Sequence, residues 1–158
     1  MGLLMDLIAG QTREALLAIR VEDWAGLDDP GRFAAHLSLG GGLDPVWLDL
    51  FAEAARQARD ASEPGSFLEA CHPLPGPVGG DVGERTVERV DRGWVESVAR
   101  LPDTVLDGVA ARWVDLIERE EVDVDAEDKP MLRSLVTDLV LFARRATAAP
   151  DVLFAWSL

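Results

Sequence analysis

Two long segments in the second half of the chain carry apolar side chains at helical spacing. In residues 104–120 the apolar positions are Val105, Leu106, Val109, Ala110, Trp113, Val114 and Ile117. In residues 130–146 they are Leu132, Leu135, Val136, Leu139, Val140 and Ala143. A stripe with a period near 3.6 residues predicts an amphipathic helix that buries one side. The fold must therefore offer a common apolar surface on which both helices can pack.

Two more helices are predicted from their starting residues. Asp44 followed by Pro45 is a typical helix start, because the aspartate accepts an amide hydrogen bond and proline needs no partner for a missing N–H. This start predicts a helix over residues 45–59, and Asp91 precedes a second one over 92–100. We expect these four helices to supply the core, with Trp113 largely buried.

Short apolar segments at both chain ends predict strands. Residues 3–8 and 152–156 are apolar and bounded by chain-breaking residues, and residues 85–90 also favour a strand. We expect both chain ends to lie in one sheet. The predicted fold class is α+β: one helix-rich domain over residues 1–158, with a small sheet that includes the N- and C-terminal strands.

Two glycine-rich regions are predicted to be irregular. Residues 33–39 are predicted to form a short helix that leads into a glycine turn at 40–42. Residues 72–84 contain three prolines and four glycines, and this composition predicts a long surface loop.

These two regions hold the candidate ligand-binding residues. Glycines leave backbone N–H groups open to a ligand, and a histidine can donate or accept a proton near neutral pH. We therefore expect any small ligand to lie between the His36–Gly42 turn and the Cys71–Gly80 loop. The candidates are His36, Ser38, Gly40, Gly41, Cys71 and His72. The alternative is structural: the glycines make ordinary turns, and a buried cysteine precedes a surface histidine.

Familiar catalytic and metal-binding motifs do not fit the sequence. The turn after His36 lacks the Gly-Lys-Ser/Thr ending of a phosphate loop and the Gly-x-Ser-x-Gly of a nucleophile elbow. The spacing of Cys71, His72 and His36 matches no zinc pattern. The acidic segment 118–128 departs from the calcium-loop pattern. We expect no cofactor and no metal, and no residue is assigned a catalytic role.

Charge and cysteine content restrict the partners and the compartment. The chain carries 15 Lys and Arg against 29 Asp and Glu, a net charge of −14, and such a surface repels nucleic acid and anionic lipid. No apolar run approaches the roughly 18 residues of a membrane span, and the N-terminus lacks signal-peptide features. A single cysteine is typical of a reducing compartment. The predominance of Arg over Lys, with abundant Ala, Val and Asp, is typical of high-GC bacterial genomes, so we expect a cytoplasmic bacterial protein.

Three segments of the chain resemble the YfbM-like family of uncharacterised bacterial proteins. In residues 32–41, His36 is followed by Leu39 and Gly41 at the spacing of that family. Residues 87–106 are similar to its strand and capped helix, and residues 142–154 to its last helix and terminal strand. The resemblance covers about half of the chain. The resemblance implies a fold, but it implies no reaction. It assigns a catalytic role to no residue of this chain.

Two functions of different classes remain open. The strong negative charge without a catalytic motif favours a protein-interaction or regulatory module that recognises a basic partner protein, since charge complementarity accelerates association. The alternative is a small enzyme or small-ligand-binding protein that uses the His36–Gly42 and Cys71–Gly80 loops. The first is the preferred prediction, and the sequence leaves the oligomeric state open.

Overall fold

A computed structural model of the chain describes residues 4–41, 43–74, 81–82, 85–120 and 124–157. Its helices in chain order are α1 (Thr12–Arg20), α2 (Trp24–Leu27), α3 (Pro45–Arg59), α4 (Phe67–Ala70), α5 (Arg92–Ala99), α6 (Leu106–Arg119) and α7 (Asp128–Ala146). A 3-10 turn over Asp103–Val105 precedes α6. None of the helices in these ranges is long and apolar enough to cross a membrane.

An antiparallel sheet forms the middle of the molecule. Its strands are β1 (Leu4–Gly10), β2 (Ala35–Gly41), β3 (Cys71–Pro73), β4 (Asp81–Val82), β5 (Arg85–Val90) and β6 (Asp151–Ser157). The strand order is β2-β1-β6-β5-β3, and β4 pairs with β5. The two chain ends therefore pair in the centre of the sheet, with Leu7 opposite Phe154. The predicted α+β class and the shared sheet of both chain ends are confirmed.

The larger core lies between one face of the sheet and helices α3, α5, α6 and α7. Met5, Leu7 and Ala9 of β1 contribute to it. Trp113 of α6 is fully buried there, its ring packs edge-on against Phe51, and its indole N–H donates to the carbonyl of Trp47 at 2.8 Å. The four predicted core helices and the burial of Trp113 are confirmed. Helix α7 begins at Asp128, which places Pro130 in its first turn, where a missing N–H costs no helical bond.

A smaller core covers the opposite face of the sheet. Side chains alternate along a strand, so Ile8 points away from Leu7 and packs with Ala15, Ala18 and Ile19 of α1. Val87, Leu153 and Ala155 of the neighbouring strands join this cluster. The sheet is thus sandwiched between a thick helical layer and a thin one made by α1 and α2.

The two regions predicted to be irregular contain strands, which corrects the prediction. Residues 35–41 form β2 rather than a helix followed by a turn, because Ala35 and Leu37 pack on the larger core while His36 and Ser38 face the other way. Pairing with β1 makes successive side chains of this segment face opposite sides of the sheet. This pairing outweighs the local preference of the alanines for a helix. In the predicted loop 72–84, residues 72–73 belong to β3 and 81–82 to β4. Residues 42, 75–80 and 83–84 lie outside the described residues.

Candidate functional site

One face of the sheet changes from apolar to polar along its strands. Residues directly opposite each other on paired strands share a face. Asp6 lies opposite Ser38 and Ala155, and Ile8 lies opposite His36 and Leu153. The smaller core therefore covers the Ile8 half of this face, whereas polar side chains occupy the half around Asp6.

A cavity of about 860 Å³ opens above this polar half. Its floor is formed by side chains from four strands: Asp6, His36, Ser38, Arg85 and Ser157. Its side walls come from the end of α1, the following turn and α2, including Ile19, Arg20, Glu22, Trp24 and Asp28. This volume is in the range of small-molecule sites, which is about 300–1,000 Å³.

Asp6 is the centre of the floor. Its side chain is only 8% exposed although it is a carboxylate in a central strand. One carboxylate oxygen accepts a hydrogen bond from Nε2 of His36 at 2.8 Å, and the other accepts one from the Arg85 guanidinium. The pairing between β1 and β2 is irregular between Met5 and Asp6, and such bulges commonly redirect a side chain next to a functional site.

His36 lies between two carboxylates. Its Nδ1 is 2.7 Å from Oδ1 of Asp28, while Nε2 bonds Asp6. An ionised carboxylate only accepts hydrogen bonds, so both contacts are hydrogen bonds when both ring nitrogens donate, which is the case in the imidazolium form. Burial alone would lower the pKa of His36, but the bonds to Asp6 and Asp28 outweigh it and hold this pKa above its ordinary value of 6.5.

Two opposing effects, burial and the contacts with charged neighbours, also determine the pKa of Asp6. Burial alone would raise the pKa of its carboxyl group, and the hydrogen bonds and charges of His36 and Arg85 reverse this effect. The pKa of Asp6 lies below its ordinary value of 3.8. Asp6, His36, Arg85 and Asp28 thus form an ionised cluster, called the polar quartet below.

Trp24 covers one face of the Arg85 guanidinium. The central carbon of this group lies 4.5 Å from the centroid of the indole ring, a cation–π geometry. Trp24 is 41% exposed and lines the cavity. Helix α2, which carries Trp24, is held by Asp23: its carboxylate accepts from the Gly26 amide at 3.1 Å and from Arg32 at 2.9 Å.

The structure separates the residues predicted to form one ligand site. His36 and Ser38 line the cavity, and Gly40 and Gly41 end the same strand. Cys71 and His72 lie on β3 at the opposite edge of the sheet, beyond β1, β6 and β5. The expected meeting of the two loops is therefore corrected, because both candidate segments became edge strands on different sides.

Cys71 and His72 have a separate environment. Nε2 of His72 lies 3.0 Å from Oδ1 of Asp91. Burial, together with the charges of Glu88, Asp91 and Asp49, raises the pKa of the Cys71 thiol to about 12. The thiol is therefore protonated at neutral pH and is a poor nucleophile. Within the described ranges no group of three or more His, Cys, Asp or Glu side chains is arranged to hold a metal ion.

Four members of the site have no counterpart among the predicted candidates: Asp6, Asp28, Arg85 and Trp24. The sequence does carry a hint of Asp6, because a carboxylate interrupts the apolar run of residues 3–8. A charge within a buried strand needs partners of opposite charge. Nothing local marks Arg85 as that partner, since it is 79 residues away.

Comparison with known protein families, curated proteins and solved structures finds no match for this chain. The resemblance to the YfbM-like family stays a prediction. The chemistry of the cavity is therefore the main guide to function.

Proposed function

We propose that this protein binds a small organic molecule in the cavity above the polar half of the sheet. The observation that supports the proposal is the polar quartet, in which three of the four ionised side chains are nearly buried at the floor of an open cavity. Replacing a buried ion pair by apolar residues is often neutral or stabilising, so stability alone does not account for a cluster of this kind. Perturbed, buried ionisable groups at a concave surface are typical of binding sites.

The walls of the cavity suit a ligand with an apolar part. Ile19, Trp24 and Leu4 contribute apolar surface, while Ser38 and Ser157 contribute hydroxyl groups. A few polar groups on an otherwise apolar wall are the usual composition of a small-molecule site. The proposed ligand site thus keeps His36 and Ser38 from the predicted candidates and replaces Cys71 and His72 by Asp6, Arg85 and Trp24.

A fragment screen followed by amide and indole chemical-shift mapping tests this proposal. We expect hits whose shifts cluster at Trp24, His36 and Arg85. Ser38→Phe places a ring in the cavity from an exposed position and should abolish these shifts. Ser134→Phe, at an exposed position of α7 in the other helical layer, is the matched control and should bind normally. The proposal would be refuted if no fragment binds, or if the fragments cause the same chemical-shift changes in the Ser38→Phe variant as in the native protein.

A second candidate is the protein-interaction module predicted from the sequence. One observation favours it: Leu17 of α1, Val21 directly after α1 and Trp24 of α2 are exposed apolar side chains of the thin helical layer, and Trp24 also lines the cavity. With a net charge of −14, these apolar side chains suit a partner that is basic around an apolar centre.

Selection of binders from a random peptide library tests the second candidate. Selected peptides should be rich in Arg, Lys and aromatic residues. The double variant Leu17→Glu/Val21→Glu should lose their binding, whereas Leu68→Glu/Leu141→Glu, at exposed leucines on α4 and α7, should retain it. Selection of acidic peptides, or equal loss in both double variants, counts against an interaction at these side chains.

A further inference from the structure

The floor of the cavity holds more buried positive than buried negative charge. The side chains of His36 and Arg85 are each 10% exposed and the Asp6 side chain 8%, whereas Asp28 is 71% exposed. Asp28 is therefore screened by water, while the other three charges interact in a medium of lower dielectric constant. Among the described residues, the buried floor thus carries one positive charge that no buried carboxylate balances.

Arg85 presents that charge in a fixed orientation. One guanidinium nitrogen donates to Asp6, and the central carbon of the group lies over the Trp24 ring, 4.5 Å from its centroid. A guanidinium carries five N–H donors, and within the described residues Asp6 is the hydrogen-bond partner found for Arg85. Arg85 lines the cavity, and its contact with Asp6 uses one of its nitrogens. A guanidinium is a planar fork of donors of the kind that binds carboxylates with two hydrogen bonds.

The rest of the protein limits how much negative charge a ligand can carry. Glu22 and Asp28 lie at the rim of the cavity together with one cation, Arg20, so the rim is more negative than positive, and the chain as a whole has a charge of −14. A ligand with several negative charges would be repelled by this field on its approach. A single carboxylate matches the one positive charge of the floor that no buried carboxylate balances, and the Trp24 and Ile19 side chains offer a surface for an apolar body.

We propose that the ligand of this cavity is a small monocarboxylic acid with an aromatic or aliphatic body. Its carboxylate accepts hydrogen bonds from the Arg85 guanidinium, next to the hydroxyl groups of Ser38 and Ser157, and its apolar body lies along Trp24. This inference rests on the proposed small-molecule site and adds the chemical class of the ligand.

The preferred head group is tested with three probes that share a phenylpropyl body and differ in the head group. They are 3-phenylpropanoate, 3-phenylpropanamide and 3-phenylpropylamine. They are titrated into the full chain near pH 6 and followed by chemical shifts, with hexanoate as an acid with an aliphatic body. We expect the two acids to bind at least about tenfold more tightly than the amide, a difference of about 1.4 kcal/mol, and the amine to bind most weakly. A preference for the amide or the amine overturns the inference.

Arg85→Lys keeps the charge and removes the fork, so it should weaken binding of the acids by about tenfold or more. Arg89→Lys is the matched control, because Arg89 lies on the same strand and is absent from this cavity. Unchanged acid binding by Arg85→Lys overturns the inference. If that variant does not fold, the ranking of the three head groups on the native chain decides.

The two proposals fail in different ways. If neutral fragments bind at Trp24 and His36 while both acids do not, the ligand class is wrong and the small-molecule site stands. If no compound binds in the cavity, both are overturned.

Discussion

Asp6 shows how a single buried charge can be accommodated by its neighbours. A carboxylate in a central strand is stable in its ionised form only when both oxygens have charged or polar partners. His36 and Arg85 provide one bond each, and Asp28 keeps His36 protonated. The quartet therefore couples β1, β2, β5 and the turn after α2 through four ionisable side chains.

The quartet makes the stability of the fold depend on pH in two directions. Asp6 has a lowered pKa, so its contribution is present above its ordinary pKa of 3.8 and is lost as the pH falls further. His36 has a raised pKa, so its contribution is complete below 6.5 and is lost as the pH rises through the raised value. We expect the free energy of unfolding to decline above pH 6.5 by about 1.5–3 kcal/mol, the range for hydrogen bonds to charged groups.

Denaturant unfolding from pH 4 to 9 measures this decline, and the two histidines of the chain provide the control. His36→Gln should remove the decline above pH 6.5. His72→Gln should keep it, because His72 lies on β3 and its side chain is 53% exposed. A native protein with flat stability over this range would contradict the assignment of His36 as a buried imidazolium.

At the scale of the elements, the two tryptophans of α2 and α6 have opposite roles. Trp113 is fully buried in the larger core, whereas Trp24 is 41% exposed at the cavity. Trp113→Ala should lower the free energy of unfolding by about 3–5 kcal/mol, because it leaves a large void. Trp24→Ala should cost about 1 kcal/mol or less, the value of an exposed cation–π contact. Equal losses in the two variants would contradict this division between core and site.

Elements with a long periodic pattern were predictable from the sequence, and short edge strands were not. Helix α3 was predicted at its observed bounds, because Asp44 and Pro45 define its start and its apolar stripe spans four turns. Strand β2 was predicted as a helix, because Phe33-Ala34-Ala35 favours a helix locally and the partner strand β1 is about 30 residues away. Local propensity contains no information on that pairing.

The candidate site was predicted in part for the same reason. His36 and Ser38 were singled out from the glycines that follow them, and both line the cavity. Cys71 and His72 were singled out by chemistry alone, and the sheet places them at its far edge. Asp6 lies on β1 and Arg85 on β5. These two strands are close together because each of them pairs with β6, which lies between them. A site assembled across strands in this way depends on strand order, which the sequence pattern does not specify.

At the scale of the whole molecule, many of the Lys and Arg side chains form ion pairs with acidic residues. Salt bridges join Arg32 to Asp23, Arg85 to Asp6, Arg89 to Asp151, Arg100 to Glu63, Lys129 to Glu118 and Arg144 to Asp103. Arg144 also donates to the carbonyl of Leu101, and Arg92 to the carbonyls of Ala149 and Pro150. These cations therefore hold helix ends and turns in place, and their charge is offset locally.

This distribution of charge predicts that the protein does not bind nucleic acid. Binding to a phosphate backbone requires several cations that release counterions together, and each contributes to a steep dependence on salt. Here the net charge is −14, and the paired arginines face their own carboxylates. In a gel-shift assay at about 150 mM salt we expect no complex with duplex DNA or RNA at micromolar protein. A shift that weakens steeply between about 50 and 200 mM salt would show that the arginines act together as a cationic surface despite their partners.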